Sequence, residues 1–117
     1  MVTTDTTDPQ KLSLWWGEQL GGTVKAFIDQ KSVDPHCDEA NSGFFIVATP
    51  QGLALGFQQV ADPTPGKNRI HFDLSAPDRT AEVARLVSAG ATIVAEYDFW
   101  TTLSDPDGNL FCVSDLA

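Results

Sequence analysis

The feature that most constrains the fold is an order of elements that occurs twice along the chain. The sequence pattern of each half predicts a strand, a helix and then three strands. The helices end in similar segments, "LGGTV" at 20–24 and "AGATI" at 89–93, and matching turns end at Gly52 in "TPQG" and at Gly108 in "DPDG". The repeat therefore predicts an α+β fold of two βαβββ modules, each with a helix packed on one face of its sheet.

Capping and turn residues delimit the elements of the first module. Val2 to Thr7 alternates as a short strand. Asp8 is expected to cap the following helix with Pro9 at its first position, and Gly21 and Gly22 are expected to end it. The polar stretch after the next strand predicts a loop. The later elements are a strand at 23–28, this loop at 29–42, and strands at 43–49 and 52–60.

The second module follows a turn-rich linker at 61–68 and repeats the plan. Residues 69–74, "RIHFDL", alternate strictly and predict its first strand. Asp78 is expected to cap a helix that ends at Gly90. The apolar face of that helix carries Val83, Leu86 and Val87, and strands are predicted at 91–97, 99–104 and 109–113. A chain of 117 residues predicts a single domain, 1–117, with modules at about 1–60 and 69–117.

Composition and charge exclude several classes of protein. The apolar fraction of 42% and charged fraction of 20% are typical of a soluble globular protein. A net charge of −9 repels phosphate backbones and argues against nucleic-acid binding. The longest apolar runs are short, such as "FFIVA" at 44–48, so no membrane span is expected. Without a basic and apolar leader, and with its two cysteines interpreted as reduced thiols, the chain is expected to be cytoplasmic.

Four segments spread over nearly the whole chain carry a resemblance to a known superfamily. They are "DTTDPQKLSLWWGEQLGG", "PTPGKNRIHFDL", "AEVARLVSAGAT" and "WTTLSDPDGNLFCV". In this order they are similar to the vicinal oxygen chelate superfamily, which includes glyoxalase I, extradiol dioxygenases and bleomycin resistance proteins, and more narrowly to its glyoxalase-like domains. The resemblance implies a cleft lined by two curved mixed sheets, with the helices on the convex side. It also implies a homodimer and a small organic molecule as the ligand.

The metal positions implied by this resemblance are incompletely filled. In metal-using members the ligands are usually His, Gln or Glu on the first and last strands of each half. His71 matches such a position, whereas Cys112 stands where a glutamate is expected. In the first half the corresponding position is Gly56, and Gln58 on the same face could replace it. We therefore expect no obligatory metal cofactor. A divalent metal, if bound, would use His71, Cys112 and Gln58.

The candidate catalytic residues are His71 and Asp73, which share one face of the predicted strand. Together they could act as a general base near neutral pH. Cys112 is interpreted either as a reactive thiol, if the strands bring it beside His71, or as a small apolar packing residue. The acidic balance and the aromatic cluster "YDFW" at 97–100 favour a planar ligand, neutral or cationic. The predicted ligand contacts are Asp5, Phe57, Gln58, His71, Asp73, Phe99, Trp100 and Cys112.

These residues are compatible with three functions. The favoured one is a small-molecule-binding domain without an obligatory metal, because the metal ligand set is incomplete. The alternative is a metal-dependent lyase or dioxygenase that uses His71, Cys112 and a third group. The third function is that of a structural domain without a ligand, whose aromatic residues fill the core or a dimer interface.

Overall fold

The computed structural model describes residues 1–27 and 43–115. The predicted polar loop at 29–42 lies outside the described residues. The chain divides into two compact units, Met1–Pro63 and Thr64–Ala117. Each unit is a βαβββ module with one four-stranded mixed sheet, which confirms the predicted fold class. Among the described residues the helices have 12 and 10 residues, and neither is long and apolar enough to cross a membrane.

The sheet of the first module places its first strand beside its last. The strand order is β1-β4-β3-β2, with β1 parallel to β4 and the other pairs antiparallel. The helix carries the chain from β1 across one face of the sheet to β2, and the antiparallel pairs β2–β3 and β3–β4 then leave β4 parallel to β1. The elements are β1 (Val2–Thr6), α1 (Pro9–Leu20), β2 (Thr23–Phe27), β3 (Phe44–Ala48) and β4 (Ala54–Gln59).

Helix α1 begins and ends at the residues that the sequence predicted. The backbone N–H of Lys11 donates to the Asp8 carboxylate at 3.1 Å, and Pro9 occupies the first turn. The helix ends at Gly21, whose φ of 66° lies in the left-handed region. Leu12 and Trp16 face the sheet and are each 2% exposed. The apolar stripe of α1 therefore packs into the core of the first module.

The second module repeats this topology. Its strand order is β5-β8-β7-β6, and β5 is parallel to β8. Helix α2 is capped by Asp78, whose carboxylate accepts from the N–H of Ala81 at 3.0 Å. The elements are β5 (Asp73–Ala76), α2 (Arg79–Ser88), β6 (Thr92–Glu96), β7 (Trp100–Ser104) and β8 (Leu110–Asp115).

The core of the second module differs from the prediction at one position. Val83 and Leu86 are buried against the sheet, at 7% and 0% exposed, as expected. Val87 is 42% exposed, so its assignment to the core was wrong. Adjacent helical residues lie about 100° apart around the axis, so the residue after Leu86 is turned away from the centre of the interface.

Strand β5 begins four residues later than the alternation of "RIHFDL" predicted. Asn68 accounts for the difference. Its side-chain oxygen accepts from the backbone N–H of Leu110 at 2.7 Å, and its amide nitrogen donates to the carbonyl of Leu110 at 3.2 Å. These are the groups of β8 that an earlier start of β5 would have paired with. Backbone pairing begins instead where the Phe72 carbonyl accepts from Cys112 N–H at 2.8 Å, and Ile70 stays 70% exposed.

Candidate functional site

An open groove of about 770 Å³ lies on the second module. The alternation of β8 explains its lining, because Phe111 and Val113 are buried while Cys112 between them faces the groove. Asp73 on β5 and Thr102 on β7 stand opposite Cys112 in the sheet register and therefore share its face. The groove thus lies on the face of the sheet opposite the buried side chains of β8.

The structure brings five predicted site residues together at this groove. His71, Asp73 and Cys112 line one part of it, and Phe99 and Trp100 line another. Each lies on a strand or within two residues of one, and the register of β5, β7 and β8 sets their spacing. The groove therefore combines an imidazole, a carboxylate and a thiol with exposed aromatic rings.

The polar part of the groove is a group of three potential ligands. The Nε2 atom of His71 lies 3.5 Å from Oδ1 of Asp73, and their side chains are 43% and 69% exposed. One donor atom from each of His71, Asp73 and Cys112 lies within 4.8 Å of the other two. The partly buried thiol of Cys112 also lies 3.5 Å from Oγ1 of Thr102. The arrangement can present three donor atoms to a cation, or an imidazole beside a carboxylate to a bound molecule.

The chemistry of these donors fits zinc better than a hard metal. A thiolate and an imidazole are ligands that zinc favours, and three protein ligands with one open position are typical of catalytic zinc. Manganese and magnesium prefer oxygen ligands, of which this group has one carboxylate. Within the second module the third donor beside His71 and Cys112 is Asp73. Gln58, the third donor expected from the sequence, lies on β4 of the first module.

The position of Gly56 in the first module is closely packed by side chains. A Cβ atom there would lie 2.8 Å from Oγ1 of Thr3 and 2.9 Å from the ring of Phe44, with the sulfur of Met1 at 3.3 Å. Both closest contacts are well inside ordinary van der Waals separation. A larger side chain at Gly56 would have to displace these side-chain groups, so the packing around this strand position fits glycine.

The aromatic part of the groove, here called the aromatic ledge, consists of Tyr97, Phe99 and Trp100. Tyr97 and Trp100 stack with ring centroids 4.5 Å apart and planes inclined by 22°. The exposed fractions of the three residues are 50%, 72% and 39%. Rings held in a stack and left in contact with water offer a flat apolar surface to a ligand.

Several groove residues were not predicted from the sequence. Thr102 and Ser114 line the groove, and the alternation that places Trp100 and Cys112 there could have identified them. Lys67 reaches the groove from the linker, where no periodicity marks a side-chain direction. Because Lys67 lines the same groove as Asp73, the groove carries both positive and negative charge although the chain is strongly acidic.

The predicted ligand contacts of the first module divide between the two faces of its sheet. Asp5 stands opposite Gln58 in the parallel register, so these two side chains share one face. Phe57 lies on the other face and is 1% exposed. The structure therefore disagrees with the prediction of Phe57 as a ligand contact, because a side chain closed off in the core presents no surface to a ligand. We assign Phe57 to packing.

A comparison with protein-family models matches residues 1–114 to the glyoxalase-like domain. The chain belongs to the glyoxalase-like domain family. This glyoxalase-like domain has the fold of the glyoxalase, bleomycin resistance protein and dioxygenase superfamily, as the resemblance implied. A search of curated proteins finds no significant match.

Solved structures with different activities share the fold of this glyoxalase-like domain. A fosfomycin resistance protein from Listeria monocytogenes matches at 13% identity with a TM-score of 0.70, over 99% of this chain and 88% of that one. Glyoxalase I of Leishmania major matches at 16% identity with a TM-score of 0.66, over 97% and 83%. An antibiotic binding protein from a Streptomyces species matches at 23% identity with a TM-score of 0.61, over 98% and 92%. At these identities the likeness concerns the fold, which serves both enzymes and binding proteins.

Proposed function

We propose that this glyoxalase-like domain binds a planar organic molecule in the groove of its second module, without an obligatory metal. The observation that carries the proposal is the aromatic ledge at the groove. Three aromatic rings in contact with water lose the stabilisation that burial would give them, and a flat ligand restores it. A ring stacked on the ledge would contribute about 0.5–1.5 kcal/mol beyond the burial of its area.

The charge of the chain supports a neutral or cationic ligand. A net charge of −9 attracts cations to the protein surface. The faces of the Tyr97 and Trp100 rings attract a positive charge as well. Within the groove, the carboxylate of Asp73 is 69% exposed and accessible to a cationic group. Lys67 also lines the groove, so we place the positive part of the ligand toward Asp73 and the aromatic ledge rather than toward Lys67.

The proteins that share the fold support small-molecule binding. One is described as an antibiotic binding protein and another as a fosfomycin resistance protein, so the βαβββ modules accommodate small organic molecules elsewhere. For this chain we propose the same general role in the cytoplasm. We further propose that the working unit is a homodimer, since Ile93 and Val94 on the edge strand β6 expose 42% and 54% of their surface.

Replacing Trp100 with alanine is expected to weaken binding of the best planar cation about 5- to 30-fold, which corresponds to about 1–2 kcal/mol. The substitution removes the stacked ring and leaves Tyr97 alone on that part of the ledge. The ligand would be found by screening planar cations, planar neutral molecules and anionic metabolites against tryptophan fluorescence. Affinities would then be measured by calorimetry, because the variant lacks one of the three tryptophans.

Trp100→Phe is the matched control for this experiment. It retains a ring at the same position and should keep most of the affinity. If anionic metabolites bind best, or if Trp100→Ala binds the best ligand as tightly as the unaltered chain, the ledge does not hold the ligand. The exposed rings would then belong to an interface between protein chains.

The second candidate function is a zinc-dependent lyase, and the grouping of His71, Asp73 and Cys112 favours it. A zinc ion bound there would polarise a substrate oxygen. Of the alternatives that the sequence left open, dioxygenase chemistry fits less well because it favours two histidines and a carboxylate. In the metal-free function, His71 and Asp73 form the candidate general base, and the 3.5 Å between them allows His71 to be oriented by the carboxylate.

Metal content separates these two functions. We expect the purified protein to contain less than one equivalent of any transition metal by elemental analysis, and EDTA to leave its melting temperature unchanged. The physical reason is that the side chains of Asp73 and His71 are 69% and 43% exposed to water, which competes for the ion. Stoichiometric zinc that survives dialysis and is lost in Cys112→Ser would favour the lyase, with Cys112 as a thiolate ligand.

A further inference from the structure

The turn that carries the aromatic ledge is held by a single side chain of helix α2. Arg79 is the first residue of that helix, and its side chain is 20% exposed. Its NH1 nitrogen donates to the carbonyl of Tyr97 at 3.1 Å, and its NH2 nitrogen donates to the carbonyl of Asp98 at 3.0 Å. Its Nε atom lies 3.5 Å from Oδ1 of Asp115 at the end of β8. One guanidinium thus joins α2, the β6–β7 turn and β8.

The remaining carbonyls of this turn are also bonded. The backbone N–H of Asp115 donates to the carbonyl of Phe99 at 3.2 Å. The N–H of Tyr97 donates to the carbonyl of Trp100 at 2.9 Å and closes the hairpin. Every carbonyl from Tyr97 to Trp100 therefore has a donor, and two of the four depend on Arg79. The backbone of such a turn has few ways to move relative to the sheet.

The placement of Arg79 is unfavourable for the helix itself. The N-terminus of a helix carries partial positive charge, so acidic residues are preferred in the first turn and a cation is disfavoured. The contacts of the guanidinium with two carbonyls and a carboxylate offset this cost. A planar group with several fixed donors can make these contacts together, whereas the single ammonium of a lysine cannot reproduce their geometry.

We propose that Arg79 is the positioning residue of the aromatic ledge and, through it, of ligand affinity. The guanidinium fixes the backbone of the turn, the fixed backbone holds Trp100 in its stack on Tyr97, and the stack presents one ring face to the groove. A ligand then binds to a surface that is already ordered, so the protein loses less conformational entropy on binding. The part of this inference that concerns affinity rests on the proposed function.

Fluorine NMR of the full chain labelled with 5-fluorotryptophan tests the positioning role without any ligand. The three tryptophans give three resonances, and Trp100→Phe identifies that of Trp100. In Arg79→Lys and Arg79→Gln we expect this resonance to shift and broaden, while that of the buried Trp16 stays unchanged. Arg85→Gln is the matched control, since Arg85 lies on the same helix and pairs with Glu82, whose carboxyl pKa it lowers through a side-chain hydrogen bond.

Calorimetry with the best planar ligand of the screen provides the second measurement. Both Arg79 variants should bind it about tenfold more weakly, with Arg79→Lys giving no rescue, and Arg85→Gln should bind as the unaltered chain does. An unchanged Trp100 resonance in Arg79→Lys, which keeps the charge and is the milder change, would overturn the positioning role. If the screen yields no ligand, the proposed function fails while the fluorine spectra still decide the role of Arg79.

Discussion

Leu86→Ala is expected to lower the free energy of unfolding by about 2–5 kcal/mol. Leu86 is 0% exposed at the centre of the contact between α2 and its sheet, where Phe111 and Val113 of β8 are also buried. Removing three carbons there loses their transfer energy and leaves a cavity that the four-stranded sheet cannot close without moving its strands. The loss would be measured by urea unfolding followed by circular dichroism.

Val87→Ala is the control on the same helix. Its side chain is 42% exposed, so the expected loss is below about 1 kcal/mol. The contrast between two adjacent apolar residues tests the orientation of α2 directly. Equal losses for the two variants would show that the helix is rotated from its described position, and a Leu86→Ala loss below about 1 kcal/mol would show the same.

Asp105→Ala is expected to cost about 2–4 kcal/mol, because it removes the acceptor around which the "DPDG" turn is built. Asp105 is 4% exposed. One of its carboxylate oxygens accepts from the backbone N–H of Asp107 at 2.9 Å and from that of Asn109 at 3.0 Å. Alanine would leave both donors without this partner in a part-buried turn, where unmade hydrogen bonds are costly.

Two further variants separate the hydrogen bonds from the charge and from the turn as a whole. Asp105→Asn keeps an oxygen acceptor and should lose less than half as much stability as Asp105→Ala. Asp107→Ala changes an exposed residue of the same turn and should be nearly neutral. Urea unfolding of all three would check the order. A neutral Asp105→Ala would mean that the turn forms without its side-chain acceptor.

Local chemistry made most of the fold predictable. Asp8 and Asp78 cap their helices as expected, because an N-cap needs only an acceptor near the first free N–H groups. Gly21 and Gly108 both have positive φ where the helix end and the turn were expected. In β8 the buried Phe111 and Val113 alternate with Cys112, which follows the period of two of any strand. Each of these signals acts over a few residues, so the sequence displays it directly.

The site was predictable in part. Alternation identified His71 and Asp73 as sharing one side, and the resemblance pointed to Cys112. The distances between these groups depend on how β5 pairs with β8, which a single strand does not encode. The burial of Phe57 was not predictable for the same reason. Alternation shows that its side chain lies on the face opposite to those of its neighbours, but not which face the helix covers.

The sequence by itself determined the two βαβββ modules, their capping residues and the family, because these rest on short-range patterns. The tertiary structure decided where β5 begins, because Asn68 takes the backbone groups of Leu110 from 42 residues away in sequence. It also decided the role of Arg79, which bonds carbonyls 18 and 19 residues further on. Hydrogen bonds between distant residues exist only after the chain has folded, and no local period or propensity records them.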